Sequence, residues 1–174
     1  MGDERYPIGQ FAFDKDIGME SRGSLVTGLA SQSGLLAAAL SGLTEVQLDT
    51  PYRAGGWTPR QLAHHVADAS LSWYLRIKLG LTEEKPRIVP FDQDRWSELV
   101  DARSLSPQVS VGLLEAVHAR IVTVLRAIGP QDFRRTMIHP ERGEVSVDYG
   151  LQYMHWHTRH HTEQIRGLRR ARGW

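Results

Sequence analysis

Apolar residues recur at helical spacing in four long stretches of the chain, separated by segments rich in proline, glycine and charge. The first stretch, Ser24 to Leu43, carries Leu25, Leu29, Leu36, Ala39, Leu40 and Leu43 on one side. It predicts a helix with a ragged first half, because Gly28 and Gly34 each cost on the order of 1 kcal/mol relative to alanine. The second stretch opens with Thr58-Pro59-Arg60-Gln61: a threonine N-cap, a proline at the first helical position, and a glutamine that completes a capping box. Its stripe of Leu62, Val66, Ala69, Trp73 and Ile77 predicts a helix to about Leu79, stopped by Gly80. His65 lies within that stripe, and His64 falls on a flank with Gln61, Asp68 and Leu71. Ser106-Pro107 repeats the cap-and-proline start, and Leu113, Leu114, Val117, Ile121, Val124, Leu125 and Ile128 predict a third helix ended by Gly129-Pro130. The fourth begins near Ser146 and reads Val147, Leu151, Met154, His157/Thr158, His161, Ile165 and Leu168.

The connections are long. Residues 1–23 predict an irregular arm, with Phe11 and Phe13 as anchors among Pro7, Gly9, Gly18 and Gly23. Thr44 to Gly56 predicts a connection opened by a short helical turn from Thr44 to Leu48. Thr82 to Pro90 reads as a proline-bounded link, and Asp92 to Val100 as one short helix carrying Trp96 and Leu99. Gln131 to Val145 is polar and turn-rich, tipped at His139-Pro140-Glu141-Arg142-Gly143-Glu144 by a small hairpin or a plain loop. Four helices of roughly 20 residues, without a repeat or a convincing alternating strand, predict an all-α four-helix bundle over 24–171, in one domain spanning 1–174. Links of this length admit crossover connections as well as up-and-down neighbours.

Composition adds limits. With 174 residues, 41% hydrophobic and 24% charged, the chain has the balance of one globular domain able to bury about 70% of its unfolded surface. A net charge of +1 gives no basic stripe for nucleic acid. Arg166, Arg169, Arg170 and Arg172 read as a solvated last turn complementing the helix dipole. No apolar run stands out as long enough to span a bilayer and no signal peptide opens the chain, so no membrane association and a cytoplasmic location are expected. The absence of cysteine confines metal ligands to imidazole and oxygen, and any reacting thiol must come from outside.

Four of the eight histidines lie between His155 and His161. On a helix His157 and His161 are one turn apart, about 6 Å along the axis, which suits two imidazoles on one ion. A single histidine in an apolar stripe is ordinarily a satisfied core residue, but three such residues cost several kcal/mol unless their nitrogens find partners. His65 with His157 and His161 would converge as three nitrogens with a fourth position open, the layout of a catalytic zinc site, with nickel, iron or manganese as alternatives. Thr158 stands where a metalloprotease helix has glutamate, and neither paired Glu-x-x-His motifs nor a serine elbow is present. His118 reads as a helix-face residue, His139 as a loop residue, and His155 and His160 as flanks.

The segments Tyr6-Pro7-Ile8-Gly9, Gln47 to Arg53, Gly55-Gly56-Trp57-Thr58, His64-His65-Val66-Ala67-Asp68 and His157-x-x-His160-His161 resemble the YfiT-like branch of the DinB superfamily across almost the whole chain. The resemblance implies a DinB-type four-helix bundle, often a homodimer, with one divalent metal, commonly zinc or nickel, on His65, His157 and His161. Arg159 and Gln164 depart from the histidines of relatives, which bears on the pocket wall and not on the ligands. Members of this family are described as metal-dependent hydrolases, and several similar proteins as transferases of small thiols such as bacillithiol or mycothiol. The leading expectation is therefore transfer of a bacillithiol-type thiol to an electrophilic small molecule through a metal-bound thiolate. The alternatives are a hydrolase activating water at the same position and a non-catalytic, metal-stabilised stress or binding protein. Asp68 or Glu163 would orient ligands, and Trp57, Trp73, Tyr74, Trp156 and Arg159 would line the pocket unless they are simply core or surface.

Overall fold

Two of the start signals work as read, and they fix the two helices that matter most. The Thr58 hydroxyl accepts from the Gln61 amide while the Gln61 side chain accepts from the Thr58 amide, and the Ser146 hydroxyl accepts from the Tyr149 amide. The structure, a computed structural model, describes residues 3–174; Met1 and Gly2 of the expected arm lie outside the described residues. In chain order the elements are α1 (Met19–Leu40), α2 (Glu45–Leu48), α3 (Pro59–Thr82), α4 (Gln93–Ser97), α5 (Val100–Ser104), α6 (Pro107–Ala127), a 3-10 turn (Asp132–Arg134), β1 (Thr136–His139), β2 (Gly143–Ser146) and α7 (Val147–Arg172).

Several boundaries differ from the sequence reading. Helix α1 begins at Met19, inside the expected arm, with Gly18 as an N-cap that offers no side chain. Gly80 does not stop α3, which continues to Thr82. It serves packing instead: a Cβ there would lie 2.8 Å from Met137 Cε. The segment expected as one short helix breaks at the extended Leu99 into α4 and α5. Ser106 sits at the α6 N-cap without capping it, since its hydroxyl donates to Gln108 Oε1. The polar segment after α6 forms the hairpin, β1 pairing antiparallel with β2 from Thr136↔Ser146 to His139↔Gly143, and Gly143 at φ 74° closes its turn.

The four long helices form a bundle in which α1 and α3 are diagonal, each packing on both α6 and α7. Their directions follow from the contacts. Arg22 meets Asp148 and Arg169 donates to the Ala39 carbonyl, so α1 and α7 run parallel. Ile77 lies against Gly150 and His65 against His157, so α3 and α7 are antiparallel. His64 bonds Ser110 and Tyr74 lies under Arg120, so α3 and α6 are parallel. The α3–α6 link must therefore return along the whole bundle. On the way its Ile88 amide donates to the Ile138 carbonyl and Ile138 donates back to Pro86, tying the link to β1.

Helices α1 and α6 prove long and apolar enough to cross a bilayer by length and composition, with mean hydropathy 1.3. That corrects the reading that no such run exists; here both helices supply bundle core through Leu29, Leu36, Leu114 and Ile121. One core cluster centres on Trp73, Ile77, Leu151 and Met154, and another on Leu36, Leu62, Val66 and Ile165. On α7, His157 and His161 fall between them.

Arg22 and Asp148 form a bidentate pair, at 2.6 and 2.9 Å, that joins the starts of α1 and α7 with side chains only 12% and 9% exposed. Asp148→Ala strands a mostly buried guanidinium and should cost about 3 kcal/mol in urea unfolding, whereas the double variant Arg22→Met/Asp148→Leu should lose less than the single one. His118 is buried with Nδ1 on the Leu29 carbonyl, and burial holds its pKa down to about 4. The unfolded chain therefore takes up this proton at higher pH than the folded one. Stability from this group is complete above the ordinary histidine value of about 6.5 and falls by about 1.4 kcal/mol per pH unit as pH drops towards 4. Urea titrations across that window should show a shallower acid loss in His118→Gln.

Candidate metal centre

Helical period and antiparallel packing bring His65 from α3 and His157 and His161 from α7 to one point, all three buried. His157 Nε2 lies 3.1 Å from His65 Nε2 and 3.1 Å from His161 Nε2. The helices can approach this closely because Gly150 has no Cβ, which would lie 3.0 Å from Ile77 and 3.1 Å from Trp73. Ahead of α3 the Tyr52 amide donates to the Trp57 carbonyl across a tight turn, and a Cβ on Gly56 would fall 2.8 Å from both Tyr52 and Arg53. That turn sets the Trp57 ring 4.5 Å from the His65 ring, while Tyr153, one turn before His157, stacks on it at 5.2 Å.

Protonation leaves these nitrogens in conflict. Burial, reinforced by neighbouring histidines, holds His65 down to about 3 and His157 and His161 well below the ordinary value, so all three rings are neutral near pH 7. Gln164 donates from Nε2 to the Arg5 carbonyl, which turns its Oε1 towards His161 Nδ1 at 2.7 Å. His161 Nδ1 therefore carries the proton, and its Nε2 is a bare lone pair. His157 Nε2 touches two nitrogens but has at most one proton: protonated, it must share that proton between two neighbours, and bare, its lone pair faces the lone pair of His161 Nε2. A cation attracts all three lone pairs at once. Tetrahedral metal–nitrogen bonds of about 2.0–2.1 Å set ligand nitrogens about 3.3–3.4 Å apart, close to the two distances seen. The donor set fits a divalent ion with nitrogen ligands, and no carboxylate among the described residues bonds to any of the three rings to offset its charge.

A profile of the DinB superfamily matches residues 29–165. The chain belongs to the DinB superfamily. Relatives in Bacillus cereus and Bacillus anthracis, 41% and 40% identical over the full length of both chains, carry the name "Putative metal-dependent hydrolase". YfiT from Bacillus subtilis, described as a probable metal-dependent hydrolase with an unusual four-helix bundle topology, is 39% identical and superposes with a TM-score of 0.96 over 98% of each chain. The four-helix bundle protein TT2238, 21% identical with a TM-score of 0.57 over 83% of this chain and 98% of its own, shares the fold. The expected DinB bundle is thus the fold observed.

Around this DinB centre the other expected residues scatter. Trp57 packs on His65, and Trp73 lines a cavity of about 470 Å³ that opens beside His65 and His157. Asp68 does not reach the histidines: it lies half-buried in an apolar groove with Leu71 and Trp96, where burial raises its carboxyl to about 6. Glu163 pairs with Arg166 and Arg170, Arg159 is exposed, and Trp156 stacks on His160 and donates to the Gly9 carbonyl. Tyr74 is core between Lys78 and Arg120. His64 is satisfied by Ser110 and the Leu105 carbonyl. His160 is buried beside His161 and not a simple flank, and His139 is buried at the end of β1, on the wall of the large cavity. Sequence reasoning missed Arg76, Arg142 and Tyr153, which line the same cavity. The available signal was Arg76, which returns after three turns to within about 20° of the direction of His65 on α3.

His161→Ala should remove bound divalent metal measured by atomic emission. Gln164→Leu should keep metal stoichiometry at saturation but weaken affinity about 10–100-fold in chelator competition, because it releases the His161 tautomer.

Proposed function

We propose that this DinB protein is a metal-dependent transferase that joins a small thiol, of the bacillithiol type, to an electrophilic small molecule in a reducing cytoplasm. The observation that carries this reading is the position of the three histidines at the junction of two cavities. His65 and His157 border the cavity of about 470 Å³, while His161 borders a second, of about 270 Å³, with Trp57 and Tyr52. Two reactants can therefore approach from different sides. A divalent ion, zinc first and nickel second, supplies there a Lewis acid that makes a coordinated thiol or water more acidic.

The chain's residues supply the rest. His65, His157 and His161 would hold the ion with three neutral nitrogens, adding no negative charge of their own to offset its charge. Gln164 keeps the His161 lone pair aimed at the ion, and Trp57 and Tyr153 limit the tilt of His65 and His157. The thiol proton leaves to water through the cavity mouth. Sulfur then forms a bond to the electrophilic carbon, and the carbon's bond to its leaving group breaks. With no cysteine in the chain, no internal thiol competes for the ion.

Hydrolysis of an ester or amide is the second reading, favoured by the names of the relatives. The two readings part in one assay, in which metal-loaded protein is given 1-chloro-2,4-dinitrobenzene with and without bacillithiol, and separately a nitrophenyl ester. Thioether formation that requires thiol and metal, and is lost in His161→Ala, is expected. Ester turnover indifferent to thiol, without thioether, would sink the transferase reading in favour of the hydrolase. Metal binding without either turnover would leave a structural metal protein.

A further inference from the structure

The large cavity has a second chemical end, remote from the histidines. Arg76 is 6% exposed, and its Nη2 donates to the Val89 carbonyl at 2.7 Å, but its Nε is buried without a hydrogen-bond partner. Its guanidinium lies 5.0 Å from the Trp73 ring centre, and among the described residues no carboxylate is within salt-bridge distance of it. A buried cation with an unused donor and no counterion is costly unless an anion completes it. Arg76 borders the apolar groove beside Asp68 and also lines the large cavity.

Two further donors face the same space. Arg142, in the turn between β1 and β2, donates to the Tyr149 hydroxyl and lies 5.3 Å from the Tyr153 ring centre, also without a carboxylate partner. His139 accepts from the Glu141 amide at Nδ1, so its Nε2 carries the proton and is a donor on the wall of this cavity. Three donors thus arrive from α3, β1 and the hairpin turn. The carboxylates on this cavity, Glu141 and Asp92, are both exposed and pair with neither arginine.

We infer that Arg76, with Arg142 and His139, forms an anion subsite, and that the molecule occupying the large cavity carries a carboxylate at the end opposite its metal-directed group. Arg76 and His65 are eleven residues apart, about 16 Å between Cα atoms along α3, and the side chains shorten the gap. The ligand is accordingly extended, with a metal-directed head and an acidic tail. The identity of that head rests on the thiol reading above; the acidic tail does not.

Calorimetric titration of the metal-loaded protein separates the two. The probes are ω-mercaptocarboxylic acids of increasing chain length, the matching ω-mercaptoalcohols, and ω-hydroxycarboxylic acids that lack sulfur. At the length that spans the cavity, the mercapto-acid should bind about tenfold more tightly than its alcohol, the scale of one lost charge-assisted contact. Arg76→Met should abolish that difference and leave alcohol binding intact, Arg76→Lys should retain part of it, and Arg142→Gln should reduce it. Equal affinity of acid and alcohol for the unmodified protein overturns the subsite, even if Arg76→Met cannot be folded. A preference that survives in Arg76→Met also overturns it, because the acid is then binding elsewhere, and one undiminished in Arg142→Gln overturns the place given to Arg142. If mercapto-acids bind no better than hydroxy-acids while the acid preference holds, the thiol reading fails and the subsite stands.

Discussion

Three neutral imidazoles buried with His157 Nε2 3.1 Å from each of the other two Nε2 atoms have too few protons to satisfy one another fully. That local conflict is the constraint on which the surrounding structure depends. It is maintained by three features: a glycine in the first turn of α7 at Gly150, a turn closed around Gly56 where a Cβ would crowd Tyr52 and Arg53, and a buried glutamine reaching back to the Arg5 carbonyl. Each holds a ring or a helix in place. A divalent cation turns the conflict into attraction.

The helices and the connections divide the work. Helices α3 and α7 hold the three nitrogens and form one side of the large cavity, whereas its other side comes from the α3–α6 link and the hairpin, which are pinned together by the Ile88–Ile138 backbone bonds. The connections can therefore alter what fits the cavity without moving the ligands. Arg76 belongs to both systems: it stands on α3 and clasps the link at Val89.

Sequence legibility followed the same division. His157 and His161 could be read because one helical turn relates them, His65 because it lies in a stripe announced by a clear capping box, and the DinB motifs agreed with both. Asp68 misled because it is three residues from His65 and so lies about 60° around the helix, where it meets the link instead of the other two histidines. The start of α1 was hidden because Gly18 gives no capping side chain and Glu20, Arg22 and Gly23 interrupt the apolar period. The turn carrying His139 and Arg142 was legible as a hairpin or a plain loop, but that both residues line one cavity with Trp73 and Arg76 depends on packing against the distant α3, which leaves no local signature. Parallel α3 and α6, and the diagonal placement of α1 and α3, likewise arise only when the link is traced through space.

His65 and His157 are 92 residues apart in the chain. An ion bridging them closes a loop of that size, and in a chain without cysteine it does thermodynamically what a disulfide does in a secreted domain. On the loop-entropy scale such a cross-link is worth about 4–5 kcal/mol, comparable with the whole stability margin of a small domain. Unlike a disulfide it is set by the free concentration of a metal, not by redox potential. With an ion bound there, metal supply would govern how long the folded chain survives.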